Sequence, residues 1–271
     1  MSRMIEELES RTFLSAEPVY GPFPAAPLAQ RVAAPQVAET YNLMSLLGYD
    51  QLGASWSYDT EYSVKQGSTT NSGSDTLTVS VGDGTTRLDG RPCNNITVEG
   101  AQATVKTAWY TAPRLGVNQM LSASTNNLGT VTARLHGVRL SPATMIIGRR
   151  YADSGTFNGT FRMESGARVY TGSLSGQARA ASQLLGNEHV VVPAGEYDAV
   201  KGKYLVRLGG KLRIRYRGKT YTANYTSVVS QNFWAVQGNG VVKSEMTATT
   251  IVSVPGEGRQ KVVTTTTSEL T

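Results

Sequence analysis

This sequence predicts an all-β fold: an antiparallel, strongly curved sheet or half-barrel, with room for one short N-terminal helix. Three observations lead there. The chain has 28 glycines in 271 residues and is rich in Thr and Ser, a composition of strands and tight connections rather than helices. From Gly53 the apolar period is two, with Trp56, Tyr58, Thr60 and Tyr62 alternating with Ser55, Ser57, Asp59 and Glu61. Short runs of strand formers broken by Gly, Pro and Asn then recur to the C-terminus. No strand–helix–strand alternation interrupts them, so a parallel sheet is not expected.

Composition narrows the function classes. A hydrophobic content of 39% supports a buried core. The net charge of +6 gives a mild attraction to anionic surfaces. No helix-turn-helix, zinc-finger or aromatic RNP pattern accompanies it, so nucleic acid is not an expected partner. The single cysteine, Cys93, cannot form an internal disulfide, and with no base beside it in Asp89–Asn95 it reads as an inert thiol. No apolar run approaches the ~20 residues of a membrane helix, so no transmembrane segment is expected.

Along the chain, residues 1–16 are charged and then briefly apolar, without the continuous apolar stretch of an ordinary signal peptide. Residues 17–36 carry Pro18, Pro22, Pro24, Pro27 and Pro35, an extended spacer that lacks the donors for a packed element. Residues 37–271 read as a single β domain. Val37, Tyr41, Met44 and Leu47 share one face of a helix expected over 37–47. Strands follow at 55–62 and 76–81, separated by a polar loop over 67–74. Gly82-Asp83-Gly84 is a turn; a calcium role for Asp83 and Asp89 lacks the ligand count of a calcium loop. Further strands are expected at 96–98, 104–110, 130–140, 157–161 and 167–174. After Val190–Val192, the Pro193-Ala194-Gly195 turn leads into Glu196–Leu208. The set closes with 211–217, 220–229, 231–236, 241–253 and 262–269.

Two groups of residues carry resemblances. Glu7 to Ala16, ELESRTFLSA, resembles the L-E-x-R-x-L-L-S motif at the N-terminus of many planctomycete exported and surface proteins, with Ser10 where Pro is usual and Phe13 where Leu is commoner. That likeness implies export to the envelope, cell surface or exterior. Gly53–Tyr58 (GASWSY), Val192–Ala199 (VPAGEYDA) and Gly238–Lys243 (GNGVVK) together resemble a family of bacterial envelope β domains. Its members read G-x-x-W-x-Y, V-P-A-G-x-[FY]-[DE]-A and G-x-G-[LV]-V-K. That family is similar to the half-barrel of periplasmic lipoprotein carriers, which hold acyl chains in the concave face. The resemblance implies a fold and a compartment, and no activity.

Candidate site residues follow. Trp56, Tyr58, Tyr197 and Trp234 are the aromatic candidates for ligand contact, with core or cross-strand packing as their alternative role. Leu208-Gly209-Gly210-Lys211 suits a two-residue hairpin turn, which would set Val206 opposite Arg213 and Tyr204 opposite Arg215. Arg213, Arg215 and Arg217 would then share one face as an anion contact, or as a solvated face that protects an edge. The two histidines, His136 and His189, have no metal-ligand spacing, and no cofactor or metal motif is present. Gly172–Gly176 lacks the spacing of a nucleophile elbow. Asp153, Glu164 and Asp198 are the only carboxylates to nominate for acid–base work. The expected function is a noncatalytic exported envelope or surface β domain that binds a lipid or other apolar small molecule in the concave face of its sheet. Its other expected partner is an anionic envelope surface or glycan. The alternative is a structural or adhesion component of the cell surface, and the third reading is an enzyme of unknown class.

Overall fold

The computed structural model describes residues 39–82, 87–88, 91–101, 103–112, 116–126, 129–165, 168–254 and 258–271. The export-like segment, the proline spacer, Asp83 and Asp89 lie outside the described residues. In chain order the elements are Thr40–Asn42 (β1), the helix Leu43–Leu46 (α1), Ser55–Gln66 (β2), Thr69–Val81 (β3), Arg87–Leu88 (β4), Arg91–Pro92 (β5), Asn94–Glu99 (β6), Ala103–Ala112 (β7), Gly116–Asn126 (β8) and Gly129–His136 (β9). Then come Thr144–Ile146 (β10), Arg150–Ser165 (β11), Arg168–Val192 (β12), Gly195–Tyr216 (β13), Lys219–Val236 (β14), Gly240–Val254 (β15) and Gly258–Leu270 (β16). The fold is all-β and antiparallel, as the period-two pattern requires.

Twelve strands hydrogen-bond in a closed ring, ordered β11 to β16, then β2, β3, β6, β7, β8 and β9. Thr156–Met163 of β11 pair with His136–Gly129 of β9 to complete it. Closure removes the unpaired edges that an open sheet would leave. The side-chain alternation sorts cleanly. Along β13, Val200, Tyr204, Val206, Leu208, Leu212 and Ile214 point inward, and Lys201, Lys203, Arg207, Lys211, Arg213 and Arg215 point outward, with Leu205 the one apolar side chain in that outer row. An apolar inside with a charged outside is the reverse of a membrane-spanning barrel, whose apolar band faces lipid.

Glycine fits the tight curvature by leaving room. Phe161 faces Gly172, Phe233 faces Gly202 and Tyr62 faces Gly73 across neighbouring strands, and each ring covers the place of the missing side chain. Gly176 faces Gly210, and a Cβ on either would fall 2.7 Å from the other's Cα. The turn expected at Gly209-Gly210 is therefore a correction: both residues lie inside β13, and Leu208 pairs with Ala178 and Ser227 rather than Lys211. The actual hairpin turn is Arg217-Gly218, with φ of 47° and 74°, the left-handed pair that a two-residue turn needs. Residues 69–74, expected as loop, belong to β3.

The helix is shorter than expected. Thr40–Asn42 are extended and pair with β10, and the Asn42 side chain accepts from Ser45 N–H to start α1. Gly48, at φ 75°, ends it: its N–H donates to Ser45 C=O, and Tyr49 N–H donates to Met44 C=O. Leu43, Met44, Leu46 and Leu47 are buried against Met145, Leu184, Val200, Phe233 and Ala235. This short helix covers one end of the ring.

Candidate functional site

The inward faces of β7, β8, β9, β13, β14 and β15 line a partly open cavity of about 530 Å³. A ring of twelve strands is wider than one whose side chains simply meet in the middle. Phe157, Phe161, Tyr170, Leu174 and Ile214 fill one side of the lumen. The other side stays open between Val105, Val131, Leu135, Val206, Leu208, Val229, Phe233 and Ala248, with Leu47 and Tyr49 closing it beneath α1. No Asp, Glu, Lys, Arg or His lines this cavity among the described residues. Its polar side chains are Ser124, Ser227, Gln231 and the tyrosines Tyr49, Tyr204 and Tyr225.

Three tyrosines that line the cavity, Tyr49, Tyr204 and Tyr225, are deeply buried, as is Tyr58 in the neighbouring cluster. Burial pushes the Tyr49 and Tyr225 hydroxyls up to about 12, with Ser227 pulling Tyr225 slightly the other way. Burial also raises Tyr58 and Tyr204, and the nearby Tyr49 hydroxyl adds to both shifts. Tyr58 donates to Val241 C=O at 2.7 Å. The Tyr204 hydroxyl is enclosed without a hydrogen-bond partner, while its ring stacks on Phe233 at 5.1 Å. Gln231 lies directly between Tyr204 and Met246 on the neighbouring strands, and its amide has no partner among the described residues.

The four aromatic residues singled out from the sequence do come together, but away from this cavity. Tyr58 and Trp234 are buried with Val190, Val192, Ala199, Val242 and Leu270, and Trp56 and Tyr197 pack against that cluster. It forms where the end of the β12–β13 hairpin folds over the rim, and Ala194 N–H donates to Leu270 C=O there. The three sequence signatures thus meet at one clamp. Trp56 lies against Gly48 and Gly240, where there is no room for a side chain: a Cβ on Gly48 would fall 2.8 Å from the indole. Lys201 and Lys243 sit 4.6 and 5.8 Å from the Trp234 ring centroid and pair with Glu188 and Glu269 at 2.8 and 2.7 Å.

The arginines lie on the outer wall. Arg213 and Arg215 are exposed on β13, while Arg217 occupies the turn, its guanidinium 5.3 Å from the Tyr216 ring. Lys203, Arg207 and Lys211 extend the same outward row, with successive outward side chains about 7 Å apart. The flanking strands set Ser173 and Thr222 beside Arg213, Thr171 and Thr220 beside Arg215, and Arg179 directly opposite Arg207. No carboxylate faces these residues across either ladder. The even spacing of Lys201, Lys203, Arg207, Lys211, Arg213 and Arg215, two or four residues apart, carried this signal, but the false turn at Gly209-Gly210 hid it.

Each nominated acid–base carboxylate lies beside a basic side chain, Asp153 by Arg139 at 2.8 Å among them. Glu164 pairs with Arg162 at 2.6 Å, and Asp198 lies 3.1 Å from His189 on the exposed hairpin. Burial pushes the Asp153 carboxyl up, but hydrogen bonds from the Arg139 side chain and from the Ser154 and Arg139 backbone outweigh it and hold it below the usual carboxylate range. His136 meets Asn158 at 3.0 Å. Cys93 is buried.

Fold and cavity define an antiparallel β-barrel with an apolar lumen covered by a short helix. No family model and no curated protein matches the chain. Two solved structures are similar to it in part. One is a predicted exported protein with a YmcC-like fold from Bacteroides fragilis, 11% identical, covering 81% of this chain and 95% of its own, at a TM-score of 0.22. The other is a predicted lipoprotein from Parabacteroides distasonis, 11% identical, covering 81% and 97%, at a TM-score of 0.25. Scores this low assign this chain neither a fold family nor a role.

Proposed function

We propose that this protein is a noncatalytic, exported binding module that carries an apolar small molecule, such as a lipid, inside its barrel. The observation that carries the reading is the apolar lumen of about 530 Å³. It is in the size range of small-molecule pockets and is lined mainly by aliphatic and aromatic side chains with a few polar groups. The export part of the proposal rests on the Glu7–Ala16 likeness, and the place of action it implies is the envelope or cell surface. Native mass spectrometry of gently purified protein tests the carrier role. Extra mass that organic solvent strips away is the expected result; a clean apo mass across independent preparations sinks it.

The outer wall favours a second reading, attachment to an anionic surface or glycan, and with it a structural or adhesion role. Here the supporting observation is the row Lys203, Arg207, Lys211, Arg213 and Arg215, with Arg179 opposite Arg207 and no facing carboxylate. Changing Arg213 and Arg215 to Ser should weaken retention on an anionic polysaccharide column at low salt. Retention equal to the parent protein's rules this out.

A further inference from the structure

We propose that the lumen selects an uncharged acyl compound whose ester or amide carbonyl accepts a hydrogen bond from the Gln231 side chain. This deepens the carrier reading and rests on it. The argument starts from what the wall lacks. With no Asp, Glu, Lys, Arg or His among the described lining residues, a buried carboxylate or ammonium would have no counter-charge, and moving it out of water is strongly unfavourable. A fatty-acid anion is therefore a poor occupant, although its hydrocarbon chain would suit the walls.

The second step concerns what the wall keeps. Gln231 faces inward on β14, among Tyr204, Val229, Phe233 and Met246. The inward residues directly beside it, Tyr204, Val229, Phe233 and Met246, are apolar or aromatic, so an amide there leaves two N–H donors and a carbonyl to be satisfied. No described residue satisfies them. The Tyr204 hydroxyl cannot serve, because its oxygen is enclosed. An amide that is free inside an apolar cavity matches a ligand that is mostly hydrocarbon and has one neutral polar group. An ester or amide carbonyl meets this requirement, and a pure hydrocarbon does not.

The test is displacement of a lumen-bound apolar fluorophore, N-phenylnaphthylamine, from the full chain by dodecane, methyl dodecanoate and dodecanoate at about pH 8, where the acid is ionised. The ester should displace the probe about fivefold more tightly than dodecane, as one net hydrogen bond gives. Dodecanoate should be at least about tenfold weaker than the ester. In Gln231→Leu the ester should lose its advantage while dodecane binds as well or better, which also shows that the variant folds. Strongest binding by dodecanoate, or an ester preference that survives Gln231→Leu, overturns the inference and leaves the carrier reading standing. Failure of the fluorophore and all three compounds to bind removes the carrier reading itself, and this inference with it.

Discussion

Phe233 and Gly202 face each other across the β13–β14 ladder, and the phenyl ring occupies the volume that a side chain on Gly202 would need. A Cβ there would lie 2.1 Å from Phe233 Cζ. Phe233 is 2% exposed and stacks on Tyr204, so the ring has little room to retreat. Gly202→Ala should therefore destabilise the fold by about 1–3 kcal/mol, the usual cost of overpacking. Because Phe233 and Tyr204 both wall the cavity, the same change should also weaken lumen binding. Urea denaturation and probe titration check both effects, and an unchanged midpoint refutes the packing account.

Gly209 and Gly210 provide an adjacent control. A Cβ on Gly209 meets nothing within 4 Å, whereas one on Gly210 falls 2.0 Å from the Ser175 carbonyl oxygen and 2.7 Å from Gly176 Cα. Backbone on the facing strand cannot step aside as a side-chain tip can. Gly209→Ala should be neutral or stabilising by about 0.5 kcal/mol through the unfolded chain. Gly210→Ala should cost at least about 2 kcal/mol. Similar melting temperatures for the two variants contradict the close approach of β12 and β13.

These glycines also show where the sequence was ambiguous. A Gly-Gly pair is demanded equally by a tight turn and by two backbones in contact, and nothing local separates the two causes. The same ambiguity made β12, β13 and β14 read as shorter strands than they are. Alternation was legible wherever one face carried aromatics, as at Trp56–Tyr62, and so was the Pro193-Ala194-Gly195 turn, because Pro193 presets φ at its start and Gly195 supplies a positive φ at its end. Closure through β9 and β11 and the lumen itself depend on pairing between remote segments, which no local pattern encodes. The aromatic candidates were visible for the same reason they proved to be a clamp: large rings near turns mark where a hairpin is pinned down. Gln231 went unnoticed because a polar residue on an inward position looks, in sequence, like one on the outer wall.

The pH dependence of stability should show an alkaline limb. Tyr49 and Tyr225 are pushed up to about 12 by burial, and Tyr58 and Tyr204 are also raised. Lys243 is raised as well, chiefly by its hydrogen bond to Glu269. All five shifts have the same sign: the folded state holds its protons more tightly. Their contribution is fully present below the unfolded values near pH 10 and is lost as pH rises through the folded ones. From about pH 10 to 12, each of Tyr49 and Tyr225 should remove up to ~1.4 kcal/mol per pH unit. Tyrosinate absorbance followed alongside circular dichroism is the check. The buried tyrosines should ionise only as the barrel unfolds; if all ionise near pH 10 with the fold intact, the lumen is wet rather than dry.

Arg179 and Arg207 stand directly opposite each other on the outer face of β12 and β13. Like charges so placed repel, and the residues around them, Ser154 beside Arg179 and Val228 beside Arg207, offer no counter-charge. Arg207→Gln should thus raise stability at low ionic strength by about 0.5 kcal/mol. The gain should shrink as salt rises, because the screening length falls from ~30 Å at 0.01 M to ~3 Å at 1 M. An added polyanion should act on the parent protein as salt does, but at far lower concentration, by bridging both guanidinium groups. Denaturation midpoints at two salt concentrations, with and without heparin, measure this directly. If Arg207→Gln is destabilising at low salt, the repulsion is already relieved within the protein and the outer row loses its claim to an anionic partner.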